Sequence, residues 1–209
     1  MPHSSERKSA DRTSVPAALA AGALSGKDAI ACRGITKRFG TVVANDHIEL
    51  TVRYGEVLAL LGENGSGKTT LMNMLSGIYH PDEGVILVDG QEAVINSPVD
   101  AMNMGIGMIY QHFRLVDVFS AMENIVLGTK EKRLRDKELK EKISEICQSF
   151  GLEIQPEKRV YEMSVSEKQT VEILKVLYRG TRILILDEPT AVLTPQETQK
   201  LFQILRKMK

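Results

Sequence analysis

The sequence predicts an α/β fold, a mixed sheet flanked by helices, with a helical insertion subdomain and a small N-terminal antiparallel β part. Three observations predict it. The apolar run Val57–Leu61 leads into a glycine-rich loop and then a helical pattern. A second apolar run, Ile183–Leu186, ends in two acids. Between them lies a charged stretch whose apolar residues recur at helical spacing.

The elements follow in order. Residues 1–28 read as a flexible tail, since Glu6 and Asp11 interrupt the basic character a signal peptide needs. Ile30–Thr36, Val42–Ala44 and His47–Val52 read as strands, with turns near Phe39-Gly40 and Asn45-Asp46. Val57–Leu61 is continuously apolar, as suits a strand buried on both faces. Lys68–Ser76 is helical. Pro81–Gly84 turns into strand Val85–Val88, closed by Asp89-Gly90. Ser97 caps a short helix with Pro98 at its first position, and Gly107–Tyr110 is a strand.

Ser120–Leu127 and Lys130–Ser149 are helices, the second one-sided, with Leu139, Ile143, Ile146 and Phe150 in line. Val165–Tyr178 is a helix with Val171, Leu174 and Tyr178 on one face, and Arg182–Leu186 a second buried strand. Thr194 and Glu197 frame Pro195 in a capping box that opens the last helix. The expected organisation is therefore a tail over 1–28, a first core half over 29–110, the helical insertion over 111–166 and a second core half over 167–209.

Composition narrows the function. The 209 residues carry 27 Lys+Arg and 27 Asp+Glu, a net charge of zero that argues against a dedicated nucleic-acid binder. With 43% hydrophobic and 26% charged residues, wholesale disorder is excluded. Cys32 and Cys147 are too far apart in sequence for a metal motif and read as reduced thiols. No apolar run approaches the roughly 18–20 residues of a membrane helix, so any crossing falls to another chain.

Two motifs carry chemistry. Gly62-Glu63-Asn64-Gly65-Ser66-Gly67-Lys68-Thr69 matches G-x-x-x-x-G-K-[ST]. Its glycines let successive N–H groups turn inward on phosphate oxygens, and the following helix adds the positive end of its dipole. Lys68 brings a full charge to the β- and γ-phosphates, and the Thr69 hydroxyl can ligate Mg²⁺. The second motif is Asp187-Glu188 at the end of an apolar strand. Carboxylates there need a partner: Asp187 fits a Mg²⁺ ligand and Glu188 a general base or orienter for an attacking water.

With these residues in place, the chain from Ile30 to Lys209 resembles an ATP-binding cassette (ABC) ATPase, a P-loop NTPase. The resemblance likens Gly62–Thr69 to the Walker A motif, Ile183–Glu188 to Walker B, and Gln111 to the Q-loop glutamine that touches Mg²⁺ and the attacking water. Thr70 joins the implied nucleotide-binding set. Phe39, in Lys37-Arg38-Phe39-Gly40, matches the adenine-stacking aromatic; a hairpin or core aromatic is the other reading.

Met163-Ser164-Val165-Ser166-Glu167 aligns with the LSGGQ signature but replaces both glycines and the glutamine. Ser164 and Ser166 would face the nucleotide of a second cassette. Ser164-x-x-Glu167 is also a capping box, and a carboxylate near a phosphate is electrostatically unfavourable. Thr194 stands where the D-loop has Asp. The blocks Asn96–Ala101, Gly105–Phe113, Glu123–Gly128, Val171–Gly180 and Asp187–Glu197 resemble importers of simple sugars and nucleosides, the last two most of all the nucleoside, basic membrane lipoprotein-associated branch.

The resemblance implies an ATP-hydrolysing subunit at the cytoplasmic face of a membrane, peripheral. Its implied partners are transmembrane permease subunits, a second cassette and, indirectly, a solute-binding protein; nucleic acid is not among them. Phe113, Leu115, Val116, Val118 and Phe119 suit either docking to the permease or packing of the insertion on the sheet. The family's switch histidine has no counterpart among His3, His47, His80 and His112, so a C-terminally truncated cassette is expected. Two other readings remain: a soluble non-transport ABC ATPase, and a catalytically poor fragment that only binds nucleotide.

Overall fold

The computed structural model describes residues 26–129, 136–190 and 193–208. The tail over residues 1–25 lies outside them. Strands β1 (Asp28–Phe39) and β2 (Val42–Arg53) form an antiparallel hairpin turning at Gly40. The turn expected at Asn45-Asp46 is instead a bulge within one long strand. Between the pairs Ile35↔Ile48 and Lys37↔Asn45 the register slips, and His47 adopts a φ of 48°. Its N–H leaves the ladder and donates to the Thr36 hydroxyl at 3.1 Å, which is why the strand continues through the irregularity.

On the other edge of β1 lies β3 (Glu83–Val88), followed by the short β4 (Gln91–Glu92), giving the order β2-β1-β3-β4. Asp89 (φ 54°) and Gly90 (φ 77°) link the last two strands as a two-residue turn with both central φ positive. A separate parallel pair joins β5 (Ile106–Ile109) to β6 (Ile183–Leu186), in register from Ile106↔Ile183 to Ile109↔Leu186. Arg182 ties the two sheets together: it reaches the Asp89 carboxylate at 3.0 Å and the Tyr54 hydroxyl at 2.9 Å. Tyr54 in turn donates to Asp89 at 2.6 Å.

One expected strand is not formed. Val57–Leu61 passes without a ladder, and Leu61 is 92% exposed. An apolar run becomes a buried strand only when neighbours take its backbone groups on both edges. Among the described residues β5 and β6 pair with each other, and no further parallel strand lies beside Val57–Leu61.

The helices follow the capping signals closely. α1 (Lys68–Leu75) ends at Ser76, and α2 (Pro98–Asn103) starts from Ser97, whose hydroxyl accepts the Asp100 N–H. Capping boxes open α3 (Ala121–Val126) from Ser120 and Glu123, and α5 (Val165–Tyr178) from Ser164 and Glu167. Thr194 and Glu197 do the same for α6 (Pro195–Met208). α4 (Asp136–Phe150) carries the expected apolar line, with Leu139 and Ile143 buried; the 130–135 part of the expected helix lies outside the described residues.

Among the described residues, three apolar clusters hold the fold. Cys32, Ile35, Met74, Ile86, Ile106 and Ile183 join the antiparallel sheet to α1 and the parallel pair. Ile125, Ile143 and Val160 pack on Val171, Leu174 and Tyr178 of α5. Ile173 and Val176, on another face of the same helix, pack with Ile109, Leu201 and Ile204. α5 is thus buried on two sides and is shared by the helical part and the sheet. Both cysteines are buried and unpaired with each other.

Candidate functional site

The Gly62–Thr69 loop lies between the unpaired Val57–Leu61 segment and α1. Gly65 and Gly67 have φ of 83° and 86°, the left-handed region that glycine adopts without penalty. Gly67 has a second constraint: a Cβ there would sit 2.2 Å from the Ala44 carbonyl oxygen. The β2 bulge therefore presses directly on the loop, and Asn45 beside it donates from Nδ2 to the Gly67 carbonyl at 3.3 Å. Asn45 is buried, and its Oδ1 has no hydrogen-bond partner among the described residues.

α1 differs from the other helices whose starts are described. Hydroxyl side chains cap α2, α3, α5 and α6, whereas α1 begins at Gly67 with no side-chain cap. Its first N–H groups and the positive end of its dipole are left for another acceptor. Lys68 projects at the same mouth, and its ammonium donates to the carbonyls of Gly62 at 2.8 Å and Glu63 at 2.7 Å and to Ser66 Oγ at 3.4 Å.

Across from it, β6 delivers the two acids. Asp187 extends the parallel ladder by one bond to the Ile109 carbonyl at 3.1 Å, which fixes where its carboxylate emerges. Asp187 is 7% exposed, and its carboxylate meets the Thr69 hydroxyl at 3.4 Å, a contact between residues 118 apart in sequence. Glu188 follows with a φ of 46°, unusual for a residue with a Cβ and still more so before a proline. A backbone held this way costs about 1–3 kcal/mol and persists only where neighbours fix it. Two do so. Gln111, just beyond β5, donates to Glu188 Oε2 at 2.8 Å, and Gln169 of α5 donates to the Pro189 carbonyl at 3.0 Å.

The structure thus brings Thr69, beside Lys68 at the start of α1, to Asp187, and sets Gln111 on Glu188. Phe39 stands at the hairpin end, 44% exposed, its ring edge-on to Tyr79 with centroids 5.2 Å apart. Ser164 and Ser166 sit at the start of α5. No hydrogen bond among the described residues joins them to the loop of Gly62–Thr70. There Glu167 takes the Ser164 N–H at 2.8 Å and the Lys158 ammonium at 2.6 Å; these contacts hold its carboxyl below the usual range, the lysine contributing most.

Residues that sequence reasoning missed are Asn45, Gln169, Glu172 and Lys175. The last three recur every third position on α5 and are buried or nearly so, a polar line on an apolar helix. That period was the available signal.

No three His, Cys, Asp or Glu residues among the described ones cluster closely enough to hold a metal. The donors that the structure brings together are instead the Thr69 hydroxyl and the buried Asp187 carboxylate, few and hard. They suit Mg²⁺, which takes one or two protein ligands and completes its shell with phosphate and water oxygens.

A strand end bearing paired acids beside a glycine loop and an uncapped helix defines the P-loop fold class. The chain belongs to the ABC transporter family, whose model matches residues 45–191. It is 52% identical over 177 residues to the nucleoside import ATP-binding protein NupA of Lactococcus lactis, covering 83% of this chain and 35% of that protein. It is 51% identical, over the same shares, to the guanosine import ATP-binding protein NupO of Bacillus subtilis. A ribose import ATP-binding protein of Streptomyces avermitilis is 45% identical over 84% of this chain and 34% of its own length. The chain spans about a third of the length of these relatives.

Among solved structures, cbiO1 of Clostridium perfringens, part of the ABC transporter complex cbiONQ, superimposes with a TM-score of 0.75 at 28% identity. It covers 87% of this chain and 74% of its own. A nucleotide-free ATP-binding cassette from an ABC transporter gives 0.76 at 22% identity, over 87% of this chain and 77% of that one, a likeness of fold alone.

Proposed function

We propose that this chain is the ATP-binding and ATP-hydrolysing part of an importer for nucleosides or simple sugars. The observation that carries the reading is the Thr69–Asp187 contact, which brings the glycine loop to the acidic strand end. The names of the relatives, nucleoside import first and ribose import after, support the solute class.

In this reading Gly62, Glu63, Asn64, Gly65, Ser66 and Gly67 cradle the phosphates through backbone N–H groups. Lys68 turns from the loop carbonyls to the β- and γ-phosphates, and Thr70 supports the cradle. Thr69, Asp187 and Gln111 would hold Mg²⁺, which when bound neutralises phosphate charge. Glu188 orients and deprotonates the attacking water, held in place by Gln111. Phe39 offers its exposed ring to adenine. Ser164 and Ser166 address the nucleotide of a second cassette, weakly, because Glu167 already occupies that helix start.

Permease subunits dock at the membrane face, with a groove of about 300 Å³ lined by Gln111, Phe113, Leu115 and Asp117 as the contact, and a solute-binding protein acts through them. No helix among the described residues is long and apolar enough to cross a membrane; it is the import reading of the relatives' names that supports a peripheral position at the cytoplasmic face. The nucleotide core is assigned to 29–110 and 167–209 and the insertion to 111–166.

The test is a titration of ATP against the chain and its Lys68→Ala variant. Binding should be lost in the variant. Unchanged affinity would remove the loop from the site, and with it the reading. In the importer, Glu188→Gln should retain ATP and stop turnover.

A further inference from the structure

α5 carries a buried polar line that neither the capping logic nor the nucleotide contacts use. Glu172 is 3% exposed, and its Oε1 accepts the Arg114 N–H at 2.7 Å. Lys175, one turn on, donates to the Arg114 carbonyl at 2.7 Å and pairs with Glu172 at 3.5 Å. Both backbone groups of Arg114 are therefore taken by side chains of one helix. Gln169, one turn before Glu172, holds the Pro189 carbonyl. Arg114 is three residues past Gln111, and Pro189 is the residue after Glu188.

A buried ion pair adds little to stability once its desolvation is counted, and apolar residues of the same size often do better. Here its geometry accomplishes something apolar residues could not: it fixes a loop that has no strand or helix of its own between β5 and α3.

We propose that Gln169, Glu172 and Lys175 are positioning residues that clamp the Gln111 loop and the Glu188 turn to α5, so that the 2.8 Å contact between Gln111 and Glu188 is set by this helix. The consequence for the reaction rests on the ATPase reading; the clamp itself does not. Because α5 also begins at Ser164 and packs against α3 and α4, a shift of the helical part moves Gln111 and Glu188 together. The line thus gives the helical part a mechanical route to the hydrolytic residues while leaving the glycine loop and Lys68 untouched.

The test compares Glu172→Ala, Glu172→Gln and Gln169→Ala with the unaltered protein, by ATP affinity, by kcat and by amide hydrogen exchange. Glu172→Ala should lower kcat by roughly tenfold to a hundredfold, the scale of a small misplacement of reacting groups. ATP affinity should stay within about twofold, because no phosphate contact is touched. Glu172→Gln keeps an acceptor for the Arg114 N–H and should restore most of the rate. Combined with Gln111→Ala, Glu172→Ala should cost less than the two losses added, since both act on one contact. Exchange should quicken at residues 112–116 and not within α5. An unchanged kcat, additive losses, or faster exchange throughout α5 together with weaker ATP binding would each overturn the proposal. If the unaltered protein binds ATP but does not hydrolyse it, the ATPase reading fails. The exchange result still decides the clamp, which stands if residues 112–116 quicken and falls if they do not.

Discussion

Replacing Gly67 with alanine separates two physical terms that usually travel together. Gly65 and Gly67 share a left-handed backbone, φ 83° and 86°, and differ in what a Cβ would meet. At Gly65 nothing lies within 4 Å, so the cost is the conformational one alone, about 1–2 kcal/mol. At Gly67 the new carbon would fall 2.2 Å from the Ala44 carbonyl oxygen and 3.0 Å from the Asn45 amide nitrogen. The first of these is backbone in a strand and has no rotamer to yield. Forced overpacking of this kind adds about 1–3 kcal/mol.

Gly67→Ala should therefore be less stable than Gly65→Ala by that second term, where each kcal/mol lowers Tm by about 2–4 °C for a chain of this size. Thermal and urea unfolding of the two variants side by side measure the difference. ATP affinity should fall further in Gly67→Ala, because relief of the clash must move the start of α1 and the N–H groups it presents. Equal stability of the two variants would refute the contact between β2 and the loop, and with it the claim that the bulge at Asn45–His47 shapes the phosphate cradle.

Other outcomes follow from single features. Glu123, Glu167 and Glu197 each close a capping box, and hydrogen bonds and nearby cations hold all three carboxyls below their ordinary value. Their folded values lie under the unfolded one, so the stability they give is complete above about pH 4.3–4.5 and is lost as pH falls through the folded values. The triple Glu→Gln variant should show a flatter acid-unfolding curve below that point; an unaltered curve would count against the caps. Burial pushes the Cys32 thiol up to about 11, and the side chain is fully buried, so a thiol reagent at pH 8 should leave it unmodified until urea unfolds the chain. Rapid labelling in the folded state would contradict the packing of β1. Arg182→Ala should loosen the antiparallel sheet from β6, since Asp89 and Tyr54 then keep only each other and lose their tie to that strand, and should appear as lowered Tm with ATP affinity little changed.

The amino-acid sequence by itself determined the features that depend on near neighbours. Helix starts were legible because Ser97, Ser120, Ser164 and Thr194 each meet their N–H partner within three residues. The glycine loop was legible because its conformation is demanded by residues five apart, and the Asp187-Glu188 pair because ionised groups after an apolar run stand out. Tertiary structure alone decided whatever required a distant partner. Val57–Leu61 has the composition of a buried strand, yet a strand is a ladder, and no ladder forms beside it among the described residues. Asn45-Asp46 read as a turn until Thr36 across the hairpin supplied an acceptor for the His47 N–H. The polar line of Gln169, Glu172 and Lys175 was visible as a period of three but had no meaning until folding brought Arg114 and Pro189 to it. Local hydrogen bonds are written in the order of residues; pairing across 58 or 118 positions exists only once the chain has closed on itself.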